Sequence, residues 1–140
     1  MRKKLLLFFA VLVCWNSFSQ AIVNIPDNNF KSYLVNNSEI NTNNDAEIQV
    51  SEANAFTGEI SISYTAISSL TGLETFVNLT SLSLFSCSLS SVNIANNLSI
   101  IKLDVSKNNL TALDISLHTG LEELSFSENN ISSLDVSLHL

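Results

Sequence analysis

The second half of the chain repeats one pattern of apolar and polar positions. In each copy, apolar residues stand at the first, fourth, sixth and eleventh places, and a small polar residue or a cysteine stands at the ninth. Leu82 and Leu103 are 21 residues apart, Leu103 and Leu124 are again 21 apart, and a fainter copy has Ile60 22 residues before Leu82. Because no copy can bury its own apolar face, the fixed period predicts a stack of similar coils with a continuous core.

The positions within one copy predict its path. Alternation such as Leu82-Ser-Leu84 predicts a short strand, because successive side chains on a strand point to opposite faces. The ninth place follows the strand, and an inward amide there, such as Asn108, can satisfy main-chain groups that would otherwise be buried without partners. Cys87 takes this place in one copy, which predicts a buried structural thiol.

This period and these positions resemble the leucine-rich repeat, whose units are about 20–29 residues long. The sequence therefore predicts a leucine-rich-repeat solenoid with short parallel strands on its concave face. Little helix is expected outside an N-terminal cap. We assign residues 57–140 to about four repeats, of which the last is incomplete.

Residues 1–19 have the pattern of a secretory signal peptide. A basic start at residues 2–4 precedes an apolar run at residues 5–13, and a small-x-small site predicts cleavage after Ser19. The run is too short to span a bilayer. The alternative of a lipoprotein cysteine at Cys14 is disfavoured by the bulky residue before it. The chain is therefore expected to be secreted or held at the cell surface.

Residues 20–56 differ from the repeats and are assigned to an N-terminal cap. Asp27 is placed to cap a helix in which Phe30 and Leu34 share one face, and a second short helix follows near Ser51. A solenoid needs a cap with an apolar inner side and a polar outer side. This segment supplies both.

The segments Ile25-Pro26-Asp27 and Leu70-Thr-Gly-Leu73, followed by Leu-x-x-Leu-Asp-Val-Ser units, resemble the secreted leucine-rich-repeat proteins of Bacteroidetes-type bacteria. The resemblance implies a surface or extracellular protein, often one part of a larger chain with a sorting domain. The sequence stops in mid-repeat at Leu140 without a second cap. We therefore expect a truncated chain whose uncapped repeat self-associates.

Charge excludes two classes of partner. The chain has 6 Lys and Arg against 13 Asp and Glu, a formal net charge of −7. Residues 1–19 contain three basic residues and no acidic one, so the remainder carries −10. Phosphate binding needs clustered Lys and Arg, so nucleic acid and anionic membrane surfaces are not expected partners.

Outward strand positions of successive copies should form columns across the concave face. One column is Glu59, Ser81, Lys102 and Glu123, and Ser106 is also expected to face outward. Tyr64 and Phe85 should be neighbours about 5 Å apart, and an outward aromatic can anchor a ligand. The alternative is that Phe85 is tucked against its neighbours. The candidate ligand-binding residues are Tyr64, Phe85, Lys102, Asp104, Lys107 and Glu123.

The segment from Asn41 to Glu52 resembles an EF-hand calcium loop, with oxygen-bearing side chains at places one, three and five and a glutamate at place twelve. Two departures count against Ca²⁺. The first ligand is Asn, and Ala46 stands at place six, where it would have to adopt a left-handed conformation that favours Gly. The alternative is a polar cap turn without metal. The calcium ligands would be Asn41, Asn43, Asp45, Glu47 and Glu52.

Catalytic signals are weak throughout. The sequence has no Gly-rich phosphate loop or CxxC motif, and repeat duplication explains His118 and His139, which are 21 residues apart. We expect no enzyme but an exported, non-catalytic recognition or adhesion module that binds a protein or glycan through the concave face. The alternatives are an accessory repeat segment of a larger secreted enzyme and a gene fragment without independent function.

Overall fold

The computed structural model describes residues 20–137, and over that range it is a leucine-rich-repeat solenoid. Two short helices precede the repeats, and one strand lies in each of four coils. The predicted signal peptide at 1–19 lies outside the described residues. The elements are α1 (Asn28–Val35), α2 (Val50–Ala55), β1 (Glu59–Ser63), a 3-10 turn (Leu73–Thr75), β2 (Ser81–Phe85), β3 (Lys102–Asp104) and β4 (Glu123–Ser125).

The four strands form one parallel sheet in the order β1-β2-β3-β4. Glu59 pairs with Ser81, Ser81 with Lys102, and Lys102 with Glu123. These are the residues that the repeat period placed in one column, so the predicted register is confirmed. Between residues 20 and 137, no helix is long and apolar enough to cross a membrane.

The core runs along the stack without a break. The inward strand residues Ile60, Leu82 and Leu103 are at most 2% exposed, and Phe30 and Leu34 of α1 are fully buried in the same cluster. Each coil therefore covers the apolar side of the next, as the period requires.

Asn108 links two coils through its side chain. Its Nδ2 donates to the carbonyls of Leu84 (2.7 Å) and Val105 (2.9 Å), and its Oδ1 accepts from the amides of Cys87 and Leu89 (both 3.0 Å). All of these groups are buried and would otherwise lack partners. The predicted role of the ninth place is confirmed.

Cys87 occupies the same place one coil earlier. The thiol is fully buried and donates to the carbonyl of Ile62 across 3.4 Å. Burial raises the pKa of the Cys87 thiol, against a smaller opposing effect of a hydrogen bond from the Thr65 amide. The protonated thiol therefore stands in for an amide, as predicted.

Asp27 joins the cap to the first coil. Its Oδ1 caps α1 by accepting from the amides of Asn29 and Phe30, and its Oδ2 accepts from the amide and hydroxyl of Ser68 (both 2.7 Å). Burial raises the pKa of Asp27, but the four hydrogen bonds outweigh it and lower the pKa to about 2. The ionised carboxylate is thus the form that the fold requires.

One predicted orientation is wrong. Ser106 was expected to face outward, but it is only 4% exposed. Strand β3 ends at Asp104, whose Oδ1 accepts from the Ser106 amide (2.9 Å), and the resulting turn covers Ser106. The alternation of a strand no longer applies once the backbone has turned.

We predict that Asn108→Ala lowers the free energy of unfolding by about 3 kcal/mol or more, because it leaves several buried main-chain groups without partners. Asn109→Ala, at the exposed neighbouring position, should cost less than about 0.5 kcal/mol. Urea unfolding of both variants measures the difference. Equal losses would contradict the bridging role of Asn108.

We predict that Asp27 contributes about 2 kcal/mol to stability above pH 4, because its pKa is lowered from 3.8 to about 2 in the folded state. This contribution should be lost as the pH falls through the folded-state pKa toward 2. Thermal unfolding between pH 6 and pH 2 should show it in the wild type and in Glu39→Gln, an exposed cap variant. An acid dependence that persists in full in Asp27→Asn would show that another group is responsible.

Candidate functional site

The strand face and its exit edge hold all six candidate ligand-binding residues. Lys102, Asp104 and Glu123 lie on strands β3 and β4, and Phe85 ends β2. Tyr64 follows β1 and Lys107 follows β3 at the edge where the strands leave the sheet. The structure therefore brings the candidates onto one surface, which we call the concave face.

The exit edge is built from residues in the left-handed conformation. Tyr64, Ser86, Lys107 and Glu128 have φ angles of 53°, 56°, 57° and 54°. The sequence placed them in one column, but nothing in their types signals a positive φ. Their amides extend the sheet ladder, as in Tyr64 N to Phe85 O (3.1 Å). These hydrogen bonds offset a cost on the order of 1–2 kcal/mol for each left-handed residue.

Two aromatic rings and a cation form a cluster on this edge. The rings of Tyr64 and Phe85 meet edge to face with centroids 5.4 Å apart, so the predicted neighbourhood is confirmed. Lys107 Nζ lies 5.3 Å from the centroid of Phe85, within the range of a cation–π contact. Phe85 is half-buried, whereas Tyr64 is 78% exposed. Tyr64 is therefore the ring that a ligand can reach.

The charges of the concave face are largely paired. Lys102 Nζ contacts Glu123 Oε1, and this hydrogen bond with its charge attraction raises the pKa of Lys102. Lys107 Nζ lies 3.4 Å from Glu128. Sequence reasoning did not select Glu128, although its 21-residue distance from Lys107 is the signal that could have found it. A shallow depression of about 250 Å³ lies over the Lys102–Glu123 pair.

In the cap loop that resembles an EF-hand, two of the proposed calcium ligands are turned to protein partners. Glu52 Oε1 accepts from Thr42 N (2.8 Å) and Asn43 N (3.2 Å), and its Oε2 accepts from Gln49 N (3.0 Å). Glu47 forms an ion pair with Lys31 (2.7 Å). Glu52 is thus the cap of the loop and of α2.

The remaining proposed ligands also bind within the loop. Buried Asn41 donates to Asp45 O (2.8 Å), Asn43 Oδ1 accepts from Asp45 N (2.9 Å), and Asp45 Oδ1 accepts from Glu47 N (2.7 Å). Within residues 20–137, no three His, Cys, Asp or Glu side chains are grouped as metal ligands. Calcium binding by this loop stays a prediction and would require these hydrogen bonds to rearrange.

The left-handed residue of the loop was assigned wrongly. Asn44 has a φ of 57°, and Ala46 is not among the residues with positive φ. Asn tolerates this conformation better than Ala. The turn made by Asn43 Oδ1 and Asp45 N encloses Asn44, so the tight bend falls two places earlier than in an EF-hand.

His118 serves the coil packing. It is 1% exposed, and its Nε2 lies 3.1 Å from the carbonyl of Ile94. One coil earlier, Asn97 stands at the same place and donates to the carbonyls of Leu73 and Phe76. His118 therefore replaces an inward amide, which agrees with repeat duplication. His139 lies outside the described residues.

Comparison with known proteins places the chain among leucine-rich-repeat domains. The profile described as "Endo-beta-N-acetylglucosaminidase EndoS LRR domain" matches residues 37–138. No curated protein matches the chain.

Several solved structures share the fold. An internalin (inlF) from Listeria monocytogenes str. 4b F2365 superposes with a TM-score of 0.68 at 24% identity, over 85% of this chain and 35% of the internalin. The functional domain of InlJ from Listeria monocytogenes gives a TM-score of 0.64 at 24% identity, over 81% and 24% of the two chains. The CBM51-2 and INT domains of Clostridium perfringens ZmpB give 0.50 at 21%, over 66% and 19%. The chain spans about a third or less of these structures.

We predict that Glu52→Gln destabilises the protein without added metal by about 1–3 kcal/mol, because a carboxylate that accepts hydrogen bonds from several amides is replaced by a neutral side chain. Glu39→Gln, an exposed change in the same cap, should have little effect. Thermal unfolding with and without millimolar Ca²⁺ checks both points. A rise in the melting temperature of the wild type with Ca²⁺ but not Mg²⁺, abolished in Glu52→Gln, would establish the calcium interpretation. No rise would contradict it.

Proposed function

The chain belongs to the family of the endo-beta-N-acetylglucosaminidase EndoS LRR domain, and on this premise we propose that it is a non-catalytic recognition or adhesion module. In this proposal the concave face binds a protein or a glycan. The residues that contact the ligand are Tyr64, Phe85, Lys102, Asp104, Lys107 and Glu123.

The observation that carries the proposal is the exposure of Tyr64. Its side chain is 78% exposed at a backbone position that is sterically unfavourable for a bulky residue. The inward residues of the strands account for the packing of the coils, so the fold does not need this ring. Exposed aromatic residues are frequent energetic anchors of binding surfaces.

Export is part of the proposal. The signal-peptide pattern at residues 1–19 and the resemblance to secreted leucine-rich-repeat proteins of Bacteroidetes-type bacteria support a location outside the cell or on its surface. A ligand outside the cell would then be reached directly by the concave face.

A second candidate function is that of an accessory repeat segment in a larger secreted enzyme. The matching family takes its description from a repeat domain of an endo-beta-N-acetylglucosaminidase, which favours this candidate. In that case the concave face would contact a catalytic domain or its substrate. Binding of free ligands by this chain alone distinguishes the two functions.

Self-association is a further part of the proposal. Strand β4 lies at one edge of the sheet, and Val136 nearby is 47% exposed. An open strand edge beside exposed apolar side chains favours pairing with another chain. Light scattering over a range of concentrations tests this, and a monomer at high concentration would contradict it.

We predict that combined Lys102→Ser, Asp104→Ser and Glu123→Ser substitutions weaken ligand binding by about tenfold or more, because they remove the charged pattern of the concave face. The probes are a glycan array and immobilised mucin, fibronectin and laminin. The matched control combines Asp114→Ser and Leu117→Ser, two exposed residues outside the sheet. Binding that is equal in both variants, or absent from every probe, would contradict the proposal.

A further inference from the structure

The exit edge of the concave face carries a notch of defined chemistry. Tyr64, Ser86 and Lys107 follow three neighbouring strands in the same left-handed conformation, so the outer two stand about 9.5 Å apart. Ser86 between them has a short side chain, and Phe85 contacts both Tyr64 and Lys107. The notch thus has an aromatic wall, an aromatic floor and a cationic wall.

We propose that this notch binds a neutral carbohydrate, with one sugar ring stacked on Tyr64. This inference rests on the proposed function of the concave face and names the class of its ligand. A sugar ring presents C–H groups on one side, which pack against an aromatic ring, and hydroxyl groups at its rim.

The surroundings of the notch match the rim of a sugar. The hydroxyl groups of Ser61, Ser63, Ser83 and Ser86 make no hydrogen bond to other groups within residues 20–137. Each hydroxyl can donate one hydrogen bond and accept others. A ligand with many hydroxyl groups can satisfy such a surface, because it also offers both donors and acceptors.

The charges argue against an ionic ligand. The two lysines of the concave face, Lys102 and Lys107, are paired with Glu123 and Glu128. The chain from residue 20 onward has a formal net charge of −10, which repels anions at long range. The notch therefore offers no uncompensated positive charge to a sulfate, phosphate or carboxylate.

The composition of the face argues against a protein ligand. Protein interfaces have a well-packed core enriched in aromatic residues and surrounded by a polar rim. Here the aromatic side chains are a single pair at one edge, and the centre carries serine and paired charges. Such a surface has little apolar area to bury against a protein.

The aromatic wall is held in place before a ligand arrives. The Tyr64 amide donates to the Phe85 carbonyl (3.1 Å), and its ring rests on the edge of Phe85. Little rotational freedom is then left to lose on binding, which favours affinity for a small ligand.

Titration calorimetry and saturation-transfer NMR of the full chain with cellopentaose, mannopentaose and chitopentaose test the inference. At least one of these oligosaccharides should bind, with the strongest transfer to the C–H groups on one face of a ring. Tyr64→Asn should weaken binding by about tenfold or more, since Asn retains the left-handed backbone but not the ring. Tyr64→Phe should stay within about threefold of the wild type, and Leu117→Ala, at a 60% exposed residue outside the sheet, should match the wild type.

Two results would overturn the inference: no oligosaccharide binds the wild type, or Tyr64→Asn binds as tightly as the wild type. Circular dichroism confirms that each variant is folded. If an immobilised protein binds and is lost in the Lys102, Asp104 and Glu123 variant while no oligosaccharide binds, the recognition function stands and the carbohydrate inference fails. If neither class of probe binds, both fail.

Discussion

The structure depends on satisfying the main-chain groups that each coil buries as it turns away from its strand. Asn108 meets this need with one amide that contacts two coils, and Cys87 meets it more weakly with a thiol. Apolar stacking drives the coils together, but it cannot compensate a buried carbonyl or amide that lacks a partner. The ninth place is therefore the position where the repeat tolerates the fewest side chains.

The same turn creates the candidate site. The residue before the ninth place is left-handed in three coils that include Lys107 and Glu128. This conformation lets the next side chain point inward while the preceding one stays at the rim. Tyr64 is thus presented to solvent by a backbone geometry that exists to bury its neighbours. Stability and recognition share one structural device here, because both follow from the same bend.

The cap solves the same problem with carboxylates. Asp27 accepts from α1 and from Ser68 of the first coil, and Glu52 accepts from the loop that precedes α2. Side-chain oxygens at alternate positions are what a calcium loop needs, and they are also what a tight loop needs to satisfy its own amides. Composition alone does not separate these uses. The partners of Glu52 do, and in this structure they are amides and a hydroxyl of the protein.

The sequence by itself determined the repeat, the strand register and the inward role of Asn108, because a fixed period imposes one environment on equivalent positions. It also placed Tyr64 beside Phe85, since neighbouring strands have a fixed spacing. Only the tertiary structure decided that Ser106 is covered, that Asn44 bends the cap loop instead of Ala46, and that Glu52 faces amides. These outcomes depend on where a strand stops and which donors lie near a side chain in space, and spacing along a chain does not carry that information.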